Sequence, residues 1–274
     1  MSRSPIYIPS SANEPSGSIQ FATRPRHLAG RGDPRHITQP LRAAGWKNHS
    51  DPDLPHVVLA SPDYQQSLVL DPEADTWAPW WRIRSEAGSG YWSAEFGGET
   101  PVEVLAGFTD ALIRPVPDQA PSVWPLLTDA GWAHEQNLPR EEAAHHPDGI
   151  LHLRRWTVSE GESYTWTAEA MLPTGLGGHR ALWRAYFSDR TPPHLLAGFV
   201  TALASNEPVQ RGMYAVPHYH LVTQEQTGPQ AEALVAAHAE RLKAARSAAR
   251  AARRSTALPT QPAPVPAAAT TYHR

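Results

Sequence analysis

Twice along this chain the apolar positions change their spacing from every second residue to every third or fourth. Trp92, Ala94 and Phe96 alternate with Tyr91, Ser93 and Glu95, the period of a strand with one dry face and one wet face. Val104, Leu105, Phe108, Ala111 and Leu112 then fall on one stripe at helical spacing, which predicts a helix laid over that strand. The same switch recurs at Trp183 to Leu203, where 11 of 21 positions are identical to Trp92 to Leu112 at an offset of 91. The chain is therefore organised around an internal duplication.

Each copy carries its own folding signals. Thr100-Pro101-Val102-Glu103 has a threonine able to cap, a proline suited to the first helical position and a glutamate to complete a capping box. The second copy has His194 in place of the glutamate, which predicts a weaker helix start. Gly107 and Gly198 lie on the apolar stripes, where a glycine costs about 1 kcal/mol relative to alanine. Their recurrence predicts that each helix backbone approaches the sheet closely there.

Outside the duplicated stretch the parallel continues. Leu41 to Trp46 predicts the end of a short helix, stopped by Gly45, with Trp46 folding back as the apolar contact beyond the cap, and Val123 to Trp132 repeats it. His56 to Ala60, the turn Ser61-Pro62-Asp63-Tyr64 and Gln66 to Leu70 predict a hairpin. His146-Pro147-Asp148-Gly149 marks the corresponding turn, between Glu141 to His145, which is poor in β formers, and Ile150 to Leu153. Third strands follow at Trp80 to Arg84 and Tyr164 to Ala168.

The expected fold class is α+β, with two tandem repeats, each a short helix, a four-stranded antiparallel meander and a covering helix. The expected boundaries are a disordered arm at 1–36, repeat 1 at 37–112, a proline-rich linker at 113–122, repeat 2 at 123–222, a basic helix at 223–254 and a disordered tail at 255–274. Met213 to Val222 is a candidate for one further strand. The alanine-rich stretch from Pro229 to Arg254 predicts a solvent-exposed helix with Arg246, Arg250, Arg253 and Arg254 at its C-terminal end, where cations suit the helix dipole.

Charge changes this picture more than composition does. The net charge of -3 conceals seven cations and no acid in residues 241–274, and five arginines against two acids in residues 1–36, so that residues 37–240 hold -13. No cysteine is present, which excludes disulfides, thiolate metal sites and cysteine nucleophiles. No apolar run is long enough for a signal peptide or a membrane span. A cytoplasmic protein without membrane contact is the expectation.

The Ser61-Pro62-Asp63-Tyr64 turn, the tryptophan-bearing strand after it, Trp92-x-Ala94-x-Phe96 and Thr100-Pro101-x-Glu103-x-Leu105-Ala106-x-Phe108 together resemble the SPDY-type domain family, which is named for the tetrapeptide. The resemblance spans residues 37–222, and it implies tandem copies of a domain of unknown function. It carries no catalytic residues. The second copy departs from the motif at His146 and Gly149, so Ser61 and Tyr64 are not required by both copies.

No catalytic signature is present: neither a nucleophile elbow, a phosphate-binding loop, a zinc-protease helix nor a dinucleotide fingerprint. Gly175-Leu176-Gly177-Gly178 has no helix opening after it, and Asp71, Glu73 and Asp75 lack the glycine and distal glutamate of a calcium loop. His218 and His220 would share one strand face and His145-His146 a turn that approaches it, but spacing places no third ligand. Arg31-Gly32-Asp33 is read as a chance triplet. We therefore expect no enzyme, no cofactor and no metal.

Trp77, Trp80 and Trp81 form the densest aromatic cluster. Alternation buries Trp81 with Ile83 and turns Trp80 outward beside Arg82 and Arg84, as a stacking platform, unless another helix or the second repeat covers it. The candidate partner-binding residues are Trp80, Arg82, Arg84, Arg246, Arg250, Arg253 and Arg254. The expected function is a binding or regulatory scaffold whose basic helix contacts a protein or other anionic partner, or its own acidic body; nucleic acid is the alternative partner. Association with a second copy of the chain is compatible with either.

Overall fold

The computed structural model describes residues 20–75, 78–86, 90–138, 141–157, 164–174, 177–213, 215–226 and 231–257. In chain order the elements are β1 (Gln20–Arg24), α1 (Arg35–Ala43), β2 (Lys47–Asn48), β3 (Val57–Ala60), β4 (Gln66–Leu70), β5 (Trp81–Ser85), β6 (Trp92–Phe96) and α2 (Val102–Ile113). They continue with α3 (Val123–Asp129), β7 (Ala133–Leu138), β8 (Glu141–His145), β9 (Leu151–Thr157), β10 (Tyr164–Pro173), β11 (His179–Phe187), α4 (Pro193–Leu203), β12 (Val209–Gly212), β13 (Thr223–Glu225) and α5 (Ala231–Ala257). Residues 1–19 of the expected arm and 258–274 of the expected tail lie outside the described residues, as does Trp77, while 255–257 of that tail continue α5.

The fold is α+β, and the two repeats share a single sheet. Its strand order is β2-β3-β4-β5-β6-β11-β10-β9-β8-β7, a palindrome that maps one half onto the other by a twofold rotation. Each half supplies five strands rather than the expected four. The additional strands, β2 and β7, follow directly on Trp46 and Trp132, and neither has an apolar alternation that would announce it. Both helices before them end in the same way: Gly45 and Gly131 have positive φ, and the Trp46 and Trp132 N–H groups donate to Leu41 and Leu127 carbonyls at 3.0 Å. That is a Schellman cap, and it delivers each tryptophan into the core at 5% and 4% exposure. The ends of the sheet are poor templates for further pairing, since β2 has two residues and β7 is irregular between Glu135 and Leu138.

The two halves join where the duplicated sequence lies. β6 pairs antiparallel with β11 through Phe96–Ala185, Glu95–Tyr186 and Ala94–Phe187. Phe96, Phe108, Phe187 and Phe199, all fully buried, meet at this seam with ring centroids 4.9 to 5.8 Å apart. Each copy contributes one phenylalanine from its strand and one from its helix, so neither half closes this core alone.

The glycines shared by the two copies serve the helix layer. We expected Gly107 and Gly198 to bring their helices close to the sheet; instead they bring α2 and α4 onto each other. A methyl at Gly198 would stand 2.5 Å from the Gly107 carbonyl oxygen, and one at Gly107 would stand 2.6 Å from the Ala202 Cβ. Removing both Cβ atoms lets the backbones meet, and the small residues one turn on, Ala111 and Ala202, keep the crossing tight.

The capping box also takes another form. Neither α2 nor α4 has a side-chain cap, and Pro101 and Pro192 are the N-cap residues. Thr100 Oγ1 is buried without a hydrogen-bond partner among the described residues. Glu103 is drawn away by Arg211, whose Nη1 and Nη2 each donate to its carboxylate at 2.7 Å. Two charge-assisted bonds to a guanidinium outweigh one backbone N–H. Burial opposes the Glu103 charge, but Arg211 overcomes it and lowers its pKa.

Residues 20–36, expected in the loose arm, are folded. β1 is the central strand of a second sheet, β12-β1-β13, and Phe21, Thr23, His27, Leu28 and Ala29 are buried. Arg211 ties this segment down by donating to the Ala29 and Gly30 carbonyls at 3.1 and 3.0 Å. Arg26 donates to the Ala202 carbonyl at the end of α4, a favourable place for a cation. Arg31 pairs with Glu99 at 2.9 Å and Asp33 with Arg35 at 2.6 Å, so both charges of the Arg-Gly-Asp triplet have internal partners. The expected strand at Met213 to Val222 is a short helical turn at Tyr219–Leu221, with β12 and β13 on either side.

Candidate functional site

The candidate residues divide between two surfaces that do not meet. α5 lies in the helix layer, against α1 and α2. It is docked rather than free of the body: Ala245 is 5% exposed and Ala249 packs on the core. Arg241 donates to Asp110 at 2.8 Å and also to the His36 carbonyl, and His238 contacts Gln39. An alanine-rich sequence makes this possible, because small side chains on one stripe let a helix settle on its neighbours while the other stripes stay polar. Arg246, Arg250 and Arg254 are exposed on the far side, and Arg253 turns to the Ala44 carbonyl at 3.3 Å.

Burial at this dock has an electrostatic consequence. His36 lies against α5, where burial and then the Arg241 guanidinium push its pKa down to about 4. The histidine is held neutral beside a cation.

The second surface is the sheet face opposite the helices. Trp81, Ile83 and Ser85 of β5 point into the core and Arg82 and Arg84 away from it. In register across the sheet the outer row runs Arg154, Thr167, Tyr186, Glu95, Arg82. Arg184 joins it from β11 and pairs with Glu169, while Arg82 pairs with Asp71 at 3.1 Å, and Asp71 in turn with His56 at 3.0 Å. Trp156 and Tyr186 are each 36% exposed. Burial, Asp189 and Glu95 raise the Tyr186 pKa. Sequence reasoning found Arg82 and Arg84 but missed Arg154, Arg184 and Tyr186, because only the pairing of the repeats brings these strands side by side.

Trp80 is no open platform. The Arg31 guanidinium lies 4.6 Å over its ring, and a Cβ at Gly98 would touch it at 2.5 Å. The cover comes from the N-terminal segment and the turn before α2, rather than from a helix or the second repeat. In a sequence read as a loose arm, Arg31 gave no sign of this.

The histidines regroup. His218 precedes a helical turn and His220 lies within it, with rings 6.4 Å apart, so the two do not share a strand face. His145 and His152 pair across β8 and β9, with Nδ1 atoms 2.7 Å apart. His146 turns the other way and meets His27 and Asp148. Asp148 Oδ2 lies 2.8 Å from His27 Nε2, and Oδ1 2.8 Å from His146 Nδ1. All three donor atoms fall within 4.8 Å of one another. Burial lowers the His27 pKa, only partly offset by Asp148. Burial opposes the Asp148 charge as well, but hydrogen bonds with His146, His27 and the Ile150 N–H hold its pKa far below the usual carboxylate range.

Two stretches of the chain, residues 60–117 and 145–209, match the model of the family SPDY: Domain of unknown function (DUF317). Each begins at the four-residue hairpin turn and runs through the duplicated strand and helix, leaving α1, α3 and the first strands of each half outside. No curated protein matches the chain, and no solved structure does. Among the described residues no helix is long and apolar enough to cross a membrane.

Proposed function

Starting from a chain of which two stretches match the SPDY domain model, we propose that it is a non-catalytic binding scaffold whose C-terminal helix contacts an acidic protein partner. The observation that carries this reading is the docking of α5. Ala245, Ala249 and the Arg241–Asp110 pair hold one side of the helix against the body, and Arg246, Arg250 and Arg254 stand exposed at four-residue intervals. That spacing makes a row of guanidinium groups about 6 Å apart along the axis. Guanidinium forks fit carboxylates two bonds at a time. In this reading the basic helix serves both the body and the partner: Arg241 and Arg253 face inward, and the other three face the ligand.

Nucleic acid is the second reading, supported by Tyr186, Trp156 and the arginines of the outer sheet face. Two features weigh against it. Glu95 and Glu169 interrupt that face, and residues 37–240 hold a charge of -13, which repels a dense polyphosphate. A short acidic segment matched to three arginines avoids most of that repulsion.

The test is fluorescence anisotropy of the full chain against labelled poly-L-glutamate and a labelled single-stranded oligonucleotide, at low and moderate salt. Preferential binding of the polypeptide, weakened at least tenfold by the triple variant Arg246→Glu, Arg250→Glu, Arg254→Glu, is the expected outcome. Preferential binding of the oligonucleotide transfers the case to the second reading. Polypeptide binding unchanged in the triple variant overturns the assignment to α5, whereas oligonucleotide binding unchanged in it assigns that ligand to the outer sheet face. Size-exclusion chromatography of the same samples reports whether a second copy of the chain is the partner.

A further inference from the structure

We propose that His27, His146 and Asp148 form a binding site for one divalent transition-metal cation of intermediate softness, for which Zn²⁺ is the probe. The ligand set is two imidazoles and a carboxylate, supplied by segments more than a hundred residues apart: the turn after β1 and the hairpin turn between β8 and β9. The donor atoms lie within 4.8 Å of one another. A tetrahedral zinc site with bonds near 2.1 Å sets its donors about 3.4 Å apart. The widest pair must therefore close by up to about 1.4 Å, and the two 2.8 Å contacts of Asp148 must open by about 0.6 Å. Rotation of one carboxylate and two rings within the same cluster accomplishes this.

The donor types suit a cation of this class: each imidazole offers a ring-nitrogen lone pair and the carboxylate an anionic oxygen. Two of the three donors have support behind them. The Ile150 N–H donates to Asp148 Oδ1 at 2.9 Å, and the Trp132 ring meets His146 edge-on at 5.3 Å. His27 is buried, whereas His146 and Asp148 are 20% and 26% exposed on their side chains. Solvent thus reaches one side of the cluster, which leaves the fourth position for water or for a ligand from outside.

The equivalent turn of the first repeat shows that these side chains exceed what the turn requires. There Ser61 Oγ donates to Asp63 at 2.6 Å and accepts from the Gln66 N–H at 2.9 Å, closing the hairpin internally. In the second repeat histidine takes the place of that serine and turns its ring to a buried histidine of another segment. A cation there would clamp the N-terminal segment to the second repeat.

Chelator-treated full-length protein, titrated with Zn²⁺ by calorimetry, tests the site. Wild type is expected to bind one equivalent that His146→Ser, which restores the serine of the first turn, loses or binds at least tenfold more weakly. His220→Gln, outside the cluster, is expected to retain it. Zn²⁺ should raise the Tm of wild type and of His220→Gln, but not of His146→Ser, since only a ligand bound to the folded state stabilises it. Circular dichroism checks that each variant folds. If His146→Ser does not fold, Asp148→Asn and His27→Gln take its place, with the visible absorption of bound Co²⁺ as an additional readout. Absence of Zn²⁺ binding in wild type, or equal binding in wild type and the cluster variants, overturns the proposal.

Discussion

Ser61-Pro62-Asp63-Tyr64 and His146-Pro147-Asp148-Gly149 make the same turn in different surroundings. In both, the first residue's N–H donates across the hairpin at 2.9 Å, to Gln66 or to Leu151, and the fourth residue's N–H returns to the first residue's carbonyl at 2.9 Å. In both the fourth residue has positive φ, 60° at Tyr64 and 72° at Gly149. The first turn lies beside the end of α5, where Arg253 and Pro62 both approach Gly45. The second lies against the N-terminal segment, through His27. What the repeats share builds the sheet and its helix layer, and what they do not share attaches the two chain ends.

The sharpest way to break the shared part is at the crossing of α2 and α4. Gly107→Ala and Gly198→Ala should each destabilise the chain by about 3 kcal/mol in urea unfolding, because the added methyl meets backbone that cannot move aside cheaply. The sign is informative. Helix propensity alone favours alanine by about 1 kcal/mol, so a gain in stability in either variant would show that the helices do not meet at these glycines. Losses of similar size at the two positions would express the twofold relation.

The duplication, the strand-to-helix switch, the glycine-stopped short helices and the hairpin turns were all legible in residue spacing, because each is decided within a few residues. The contacts that depended on partners elsewhere were not. Gly107 could be seen to need space, but its neighbour is Gly198, and no local rule distinguishes a sheet from a second helix. Glu103 had the spacing of a capping residue and was taken by Arg211, which lies 108 positions away. The strand Glu141–His145 forms despite weak propensity because it is paired on both sides, by β7 and β9. The segment 20–36 looked loose because its apolar residues are few and its anchors are arginines and a histidine. Its burial rests on specific pairs with both repeats, Arg31 with Glu99 and Trp80 of the first and His27 with Asp148 of the second, which a hydropathy pattern does not record. The candidate metal ligands were missed for the same reason: His146 was visible, but His27 lay in a stretch read as unstructured.

Next in size is an effect confined to the C-terminal attachment. His36 titrates at about 4 in the folded chain, against an ordinary value of 6.5. Between those pH values the unfolded chain binds a proton that the folded chain refuses, so stability is retained above pH 6.5 and falls as the pH drops toward 4. The loss expected from this group is about 2 kcal/mol, after allowance for its partial exposure. Arg241, Glu103, Asp110 and His238 also act on it, and His27 and Asp148 add slopes of their own at the other attachment. The measurement is therefore a difference: urea unfolding of wild type and His36→Gln across this range, with the variant expected to show the shallower slope. Identical slopes would remove His36 from the account of how α5 is held.

The smallest effects separate the turn from its namesake residues. Gly149 has positive φ with open space around it, so Gly149→Ala meets only the backbone cost of a Cβ in that conformation. That cost is about 1 kcal/mol. Tyr64→Gly makes the opposite change: it relieves the same backbone cost but gives up an exposed contact, in which Lys47 Nζ donates to the Tyr64 hydroxyl at 2.6 Å and lies over the ring. Exposed pairs of this kind contribute only about 0.5 to 1 kcal/mol, so the two changes should nearly cancel, leaving Tyr64→Gly within about 0.5 kcal/mol of wild type. A loss well above 1 kcal/mol would mean that the tyrosine is held by more than the turn and Lys47. Near-neutrality would show that the turn does not depend on the tyrosine side chain, in contrast to Ser61, whose hydroxyl closes the hairpin through Asp63 and the Gln66 N–H.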